Sequence, residues 1–353
     1  MKLQNQNQNP TTKKTVSSKS LCDTICDICF SLLLLPAAIG TYFLAKDVQK
    51  FRNNLLKLVP SFHLPTYSDF KLCIPILLVI LVLKILCENL LVCYTKTILA
   101  KQYRNPDTEE KKIESQKVAK KLAQHIFKGT YYILITLFAY YVHKDLDYFP
   151  KTLGGSGQLK NMFLPGYPKS FLFTKPKYFD LHYLICLSYA ISDLLYLLFI
   201  YEKQTDFINM LLHHICTISL IIFSFLTNYS NIGSMVLIIH NATDVLVHMT
   251  RFSIRSNTPE IIRDITGVTL TFAFIYLRLF VFGECIYVTI KYIVWEWGWT
   301  TTFLITFLCF LYVMHINWTL RLLEKALQLV MGYNLSDTTT FKSSKELNEK
   351  KKE

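Results

Sequence analysis

The 353-residue sequence contains no glycine–serine linker and no internal repeat, so it reads as a single membrane domain with polar tails. Its N-terminus lacks the charged, apolar and small-residue order of a cleaved signal peptide. Residues 1–20 (MKLQNQNQNPTTKKTVSSKS) are polar, basic and low in complexity, and are expected to be disordered. Gly154, Gly155 and Gly157 are followed by no Gly-Lys-Ser/Thr and no soluble helix, which excludes a phosphate loop. Histidine is sparse, with nine in the chain, too few for the multiple boxes of a membrane di-iron oxygenase. Acidic residues are outnumbered, 25 against 38 Lys and Arg, giving a net charge of +13. The basic residues lie between apolar runs, a pattern that suits loops facing anionic headgroups and argues against a nucleic-acid partner.

The ten cysteines do not make a disulfide framework. Cys73, Cys87, Cys93, Cys186, Cys216, Cys285 and Cys309 fall within or beside apolar runs and read as small buried hydrophobes. Cys22, Cys26 and Cys29 have an iron–sulfur-like spacing but lead directly into an apolar run, so they read as a juxtamembrane helix face open to acylation.

Hydrophobic residues make up 52% of the chain and gather into runs of roughly 20, the length that crosses a ~30 Å hydrocarbon slab. Backbone amides there must be satisfied within the segment, so each run is predicted helical. Spans are expected at about 71–94, 126–142, 180–201, 207–227, 232–249, 264–290 and 300–322. An earlier stretch, 28–45, is marginal in length and holds Pro36 and Gly40; it can span, re-enter or lie in the interface. The fold class is therefore all-α: a polytopic membrane bundle of seven spans, with room for one more at the N-terminus.

Basic loops set the orientation. Segment 95–125 carries Lys96, Lys101, Arg104, Lys111, Lys112, Lys117, Lys120 and Lys121, and the 250–263 loop adds Arg251, Arg255 and Arg263. Seven spans put both, with the lysine-rich C-terminal tail, on the cytosolic side. The six lysines of 144–179 then fall on the lumenal side, against the trend. The ending Lys350-Lys351-Lys352-Glu353 is similar to a dilysine retrieval signal, which points to the endoplasmic reticulum membrane.

Ionisable residues inside a span cost about 2.5–3.5 kcal/mol each on insertion scales, so they mark cavities or partners. They concentrate in one hairpin: His213 and His214 in the 207–227 run, His240, Asp244 and His248 in the 232–249 run. With the turn at 228–231, equal helical rise puts His214 level with Asp244, and His240 one turn deeper on the Asp244 face. Such a group suits general-base or nucleophilic chemistry, the carboxylate orienting an imidazole. A metal site is a competing reading, but adjacent His213 and His214 point ~100° apart on a helix, so no metal is expected. Single buried histidines also serve as hydrogen-bonded packing residues, which is the bland alternative for each one alone.

The residues around this hairpin carry a resemblance. Tyr201-Glu202-Lys203-Gln204-Thr205-Asp206-Phe207, then Leu212-His213-His214-Ile215-Cys216-Thr217, then Asn228, Gly233, His240 and Asp244, resemble the signature of the TLC-domain ceramide synthases, which N-acylate sphingoid bases. Pro65, Tyr67, Asp69 and Phe70 are similar to the entry of that family's first span, and Lys84 and Glu88 to a basic–acidic pair near its end. Lys117 to Tyr132 resembles the opening of the TLC domain, with Phe127-Lys128 where Trp-Arg is usual; Arg278, His315 and Trp318 match positions in the last two spans. Three departures stand out: Asn241 where the family has an aspartate, His248 where it has a glutamate, and a less basic Lys203-Gln204-Thr205.

The resemblance implies five regions. These are a disordered tail (1–27), an N-terminal membrane segment and linker (28–64), a first span with a basic cytosolic loop (65–125), the TLC domain (126–325) and a lysine-rich cytosolic tail (326–353). It also implies transfer of a fatty acyl group from acyl-CoA to the amine of a long-chain base, without a cofactor, the thioester supplying the activation. His213, His214, Asp244 and His240 would be catalytic, and Asn241, Arg278, Asp206 and Glu202 would contact substrate. Expected partners are acyl-CoA, the long-chain base and membrane lipid, with a homo- or hetero-dimer allowed. The rival readings are a non-catalytic TLC protein that binds lipid or serves membrane biogenesis, favoured by Asn241, and a transporter, disfavoured by the missing inverted repeat.

Overall fold

In the computed structural model the described residues are 46–54, 56–57, 64–104, 106, 108–164, 174–200, 207–293 and 298–330. The 28–45 segment, Cys22, Cys26, Cys29, Glu202, Asp206 and the terminal lysines lie outside them. Eight helices carry the architecture: α1 (Cys73–Thr97), α2 (Glu109–His143), α3 (Phe179–Phe199), α4 (Phe207–Leu226), α5 (Ser230–Arg255), α6 (Glu260–Phe274), α7 (Phe282–Ile293) and α8 (Trp299–Val330). A π-helical stretch, Ile275–Val281, joins α6 to α7 without a break. Among the described residues, β-structure is limited to two isolated bridges. The all-α bundle expected from the hydropathy pattern is what forms.

Among the described residues, six helices are long and apolar enough to cross a membrane: Tyr67–Thr97, Phe179–Phe199, Phe207–Leu226, Ser230–Arg255, Glu260–Ile293 and Trp299–Gln328. The expected 126–142 run is not among them. It forms the second half of α2, where Lys128 and four tyrosines (Tyr131, Tyr132, Tyr140, Tyr141) dilute the hydropathy. It still packs inside the bundle along α5. The basic "loop" 95–125 is likewise not a loop over most of its length. From Glu109 it is the start of the same helix, opened by Thr108, whose hydroxyl accepts the Lys111 amide at 3.4 Å, and by Glu109 and Glu110 in the first turn.

The helices sort by what they touch. α5 is central, packed by α2, α4, α6 and α7. α1 is peripheral, with Leu78, Val82, Leu86 and Leu90 exposed along one side, as a lipid-facing helix requires. Of the cysteines in the spans, Cys73, Cys186, Cys216 and Cys285 are buried as expected; Cys93 is exposed, because it lies on the outer side of α1.

Both ends of the bundle are tied. At one end, Arg52 is buried and donates to the carbonyls of Pro65 and of Leu226, the latter at 2.7 Å. Asp47 accepts from the Thr300 amide and hydroxyl at 2.8 and 2.7 Å, capping α8. At the other end, Leu99 bridges Ser256, the Ala100 amide donates to Arg255 at 3.1 Å and the Asn257 amide to Ile98 at 2.8 Å. The two basic segments predicted to share a side of the membrane therefore meet there.

Candidate functional site

The α4–α5 hairpin turns at Thr227–Tyr229, with Asn228 in the left-handed region (φ 60°), a conformation that asparagine tolerates better than most residues. This turn aligns the two helices so that His213 and His214 on α4 face His240 and Asp244 on α5 around shared cavities. The His213 and His214 rings lie 5.7 Å apart, centre to centre, and His213 lies 6.5 Å from His240 and 5.3 Å from Trp318 of α8. His213 Nδ1 is buried and has no hydrogen-bond partner.

His240 is differently placed. Its Nδ1 is 2.6 Å from the Val236 carbonyl. A carbonyl only accepts, so Nδ1 carries the proton; Nε2 lies 3.2 Å from His315 Nε2, which also stands 3.4 Å from the Arg278 guanidinium. Arg278, in the π-helical stretch, closes the group: Nη2 donates to Asp244 Oδ1 at 2.5 Å and to the His240 carbonyl at 3.1 Å. It is 3% exposed. A π turn widens the helix locally and is a common feature of functional sites.

This corrects one expectation. Among the described residues Asp244 is hydrogen-bonded to no imidazole; its Oδ1 is taken by Arg278, a residue between α6 and α7 that hairpin geometry alone cannot place. The acidic group whose field reaches His214 is instead Asp193 of α3, which lines the same cavities. Asp193 holds two ammonium groups: Lys84 of α1, and Lys128 of α2 at 3.0 Å. Lys84 is 1% exposed, donates to Ser192 Oγ at 2.9 Å and lies over the rings of Tyr189 and Tyr196. Lys84 thus pairs with Asp193, while Glu88 stands 4.0 Å from Lys120. Asn241 donates to Cys186 Sγ at 3.5 Å, at the cavity wall.

Two cavities meet at these histidines. One, of about 520 Å³, is rimmed by Lys117, Lys120, Lys121, Arg251, Arg321 and Lys325 on the side where the basic segments join. Its floor includes His248, whose Nδ1 is 3.0 Å from that of His125; His125 in turn contacts Arg255. The other, of about 100 Å³, continues along α4 and α5 between mostly apolar walls: Leu220, Ile221, Ile232, Val236, Leu304 and Leu308. His213, His214, Asp193 and Asp244 line both. Among the described residues, no group of three or more His, Cys, Asp or Glu is placed to hold a metal ion.

The TLC-domain family model matches residues 121–324, from the middle of α2 through α8. The chain belongs to the TLC-domain family. Relatives include ceramide synthase 5 of Homo sapiens, 26% identical over 153 residues, which are 41% of this chain and 38% of that protein. Ceramide synthase 4 of Bos taurus is 35% identical over 100 residues, 28% of this chain and 25% of that protein. The Alternaria stem canker resistance protein 1 of Solanum lycopersicum is 32% identical over 77 residues, 22% and 25% of the two chains. The matched stretches thus span well under half the length of these relatives, two of which are named ceramide synthases.

Within the TLC segment fall Lys128, Asp193, both hairpin histidines, His240, Asp244, Arg278 and His315. Lys84 lies outside it, so the first span also contributes to the site. Asp193 was open to detection: a carboxylate in the 180–201 run is as costly as those in the hairpin. Its meaning was hidden because its partners come from two other helices.

Proposed function

We propose that this TLC-domain chain is an acyl-CoA-dependent N-acyltransferase that acts on a long-chain base. The observation that carries the reading is the meeting of a basic vestibule and an apolar tunnel at His213 and His214. An acyl-CoA has the same layout: a polyphosphorylated head, a thioester and a hydrocarbon tail. Lysine and arginine at the rim suit the phosphates, the apolar walls suit the tail, and the thioester would then lie at the histidines.

The reaction itself needs one proton transfer in each direction. The amine nitrogen of the base attacks the thioester carbonyl, the C–N bond forms and the C–S bond breaks. An imidazole takes the amine proton and returns it to the departing thiolate, giving amide and free thiol. His213, with an unpartnered nitrogen, is the better placed base. His214, facing Asp193 and Lys128, would hold the carbonyl or accept the acyl group transiently. His240, Arg278 and His315 then form the wall that keeps Asp244 and the imidazoles in position.

Asn241 favours a second reading, a TLC protein that binds lipid without transferring an acyl group. Its amide goes to Cys186, so position 241 offers no carboxylate. The two separate in one assay: membranes containing the protein, a labelled long-chain base and acyl-CoAs of several lengths, with His213→Ala/His214→Ala alongside. Ceramide made by wild type and absent from an equally abundant double variant supports transfer. No ceramide at any chain length refutes it and leaves lipid binding.

A further inference from the structure

The apolar tunnel has an end, and its construction is specific. Some way past the histidines, the Tyr183 hydroxyl of α3 reaches across to Ser224 of α4, oxygen to oxygen at 2.5 Å. Ser224 Oγ is also 2.5 Å from the Leu220 carbonyl, which can only accept, so the serine proton is committed there and the tyrosine donates. The phenol lies directly over α5 at Gly233: a Cβ on that residue would sit 1.8 Å from the Tyr183 oxygen. Only glycine allows this approach. Tyr183, Ser224, Tyr229, Ile293 and Leu304, which line the far end, are all buried. Tyr229 is itself held by Thr301, its hydroxyl 3.4 Å from the threonine oxygen.

We infer that Tyr183, bolted to Ser224 over Gly233, is the stop that sets the longest acyl chain the tunnel accepts; this rests on the acyl-transfer reading of the same site. The hydrocarbon in question is the acyl tail, because the basic vestibule on the other side of His213 suits the CoA end of the same molecule. From His213 to Ser224 along α4 is about 16 Å at 1.5 Å per residue. An extended alkyl chain advances about 1.25 Å per bond, given tetrahedral carbon and ~1.52 Å bonds. Behind the Tyr183 ring lie Phe179 and Phe225, stacked at 6.4 and 5.6 Å, an apolar layer that a longer chain enters only if the tyrosine is removed.

The test is the chain-length profile of transfer with saturated acyl-CoAs from shorter to longer than the tunnel, for wild type, Tyr183→Phe and Tyr183→Ala. Tyr183→Phe keeps the ring and should keep the cut-off. Tyr183→Ala should move it outward by roughly five carbons, about the reach of the lost side chain. A Tyr183→Ala protein that accumulates normally with the wild-type cut-off overturns the inference. Crosslinking of wild type with an acyl-CoA bearing a terminal diazirine gives a second answer that needs neither the variants to fold nor transfer to occur. Labelling of peptides containing Tyr183 or Ser224 supports the stop; labelling elsewhere overturns it. If wild type transfers no acyl group at any length yet labels Tyr183 or Ser224, the transfer reading fails and the tail site stands.

Discussion

Replacing Asp193 by asparagine should be among the most damaging single changes in this protein, and a second substitution should repair much of it. Asp193 is the only carboxylate in contact with Lys84 among the described ion pairs, and Lys84 is 1% exposed. Asp193→Asn leaves that ammonium buried with one serine hydroxyl and two tyrosine faces, too little to replace a counter-charge. Removing one partner of a buried ion pair costs about 3–5 kcal/mol. The reverse change is milder. Lys84→Met leaves Asp193 with Lys128 at 3.0 Å, whose side chain is 16% exposed and keeps contact with water. The loss is then about that of one charged hydrogen bond, ~1.5–3 kcal/mol. Once Lys84 is gone, Asp193→Asn strands no buried charge, so Lys84→Met/Asp193→Asn should be more stable than Asp193→Asn alone by about 2 kcal/mol. The assay is heat challenge of the detergent-purified variants, with the surviving monodisperse fraction read by size-exclusion chromatography. The expected order has Asp193→Asn lowest, with the double variant and Lys84→Met both above it. A wild-type midpoint for Asp193→Asn, or no repair in the double variant, refutes the reasoning.

Three further outcomes follow from the same geometry. Arg278→Lys keeps the charge but gives up the planar guanidinium, whose Nη2 donates to both Asp244 and the His240 carbonyl. Acyl transfer measured as kcat/KM should fall roughly ten- to a hundredfold, ~1.5–3 kcal/mol, at unchanged abundance, and wild-type kinetics would remove Arg278 from the site. Gly233→Ala should destabilise the protein by about 1–3 kcal/mol through its clash with Tyr183, and Tyr183→Ala should relieve that cost in a double-mutant cycle; additive losses would mean the two do not touch. Lys175, before α3, pairs with Asp180 at 2.8 Å, but burial outweighs the pairing and lowers its pKa from 10.5. Between that lowered value and 10.5 the unfolded chain binds more protons than the folded one, so this residue's contribution makes stability rise with pH in that window. The stability difference between Lys175→Met and wild type should therefore shrink as pH approaches 10.5, and a pH-independent difference would contradict it.

Much of the fold was legible because crossing a membrane is a local requirement. A run of apolar residues of sufficient length must be helical wherever its neighbours lie, so helix bounds and the hairpin at 227–229 were within reach of one-dimensional reasoning. The 126–142 run was harder to classify, since Lys128 and its tyrosines are polar by composition yet face other helices: Tyr131 stacks on Tyr189 at 3.5 Å, and Lys128 reaches Asp193. A hydropathy scale sees the residue and not what it faces. The cost of buried charge singled out the α4–α5 hairpin for a sound reason, and His213, His214, His240 and Asp244 do line a common cavity.

What the amino-acid order determined by itself was six of the seven expected membrane helices, the family and the hairpin that brings two histidines level with an aspartate. Tertiary structure decided the pairing: Asp244 with Arg278, Lys84 and Lys128 with Asp193, His240 with His315, and Tyr183 against Gly233. Hydropathy and helical rise act over neighbouring residues, whereas these contacts join positions 34 to 109 residues apart. Helix periodicity sets which side of its own helix a residue occupies; which residue of another helix stands opposite depends on how the helices pack.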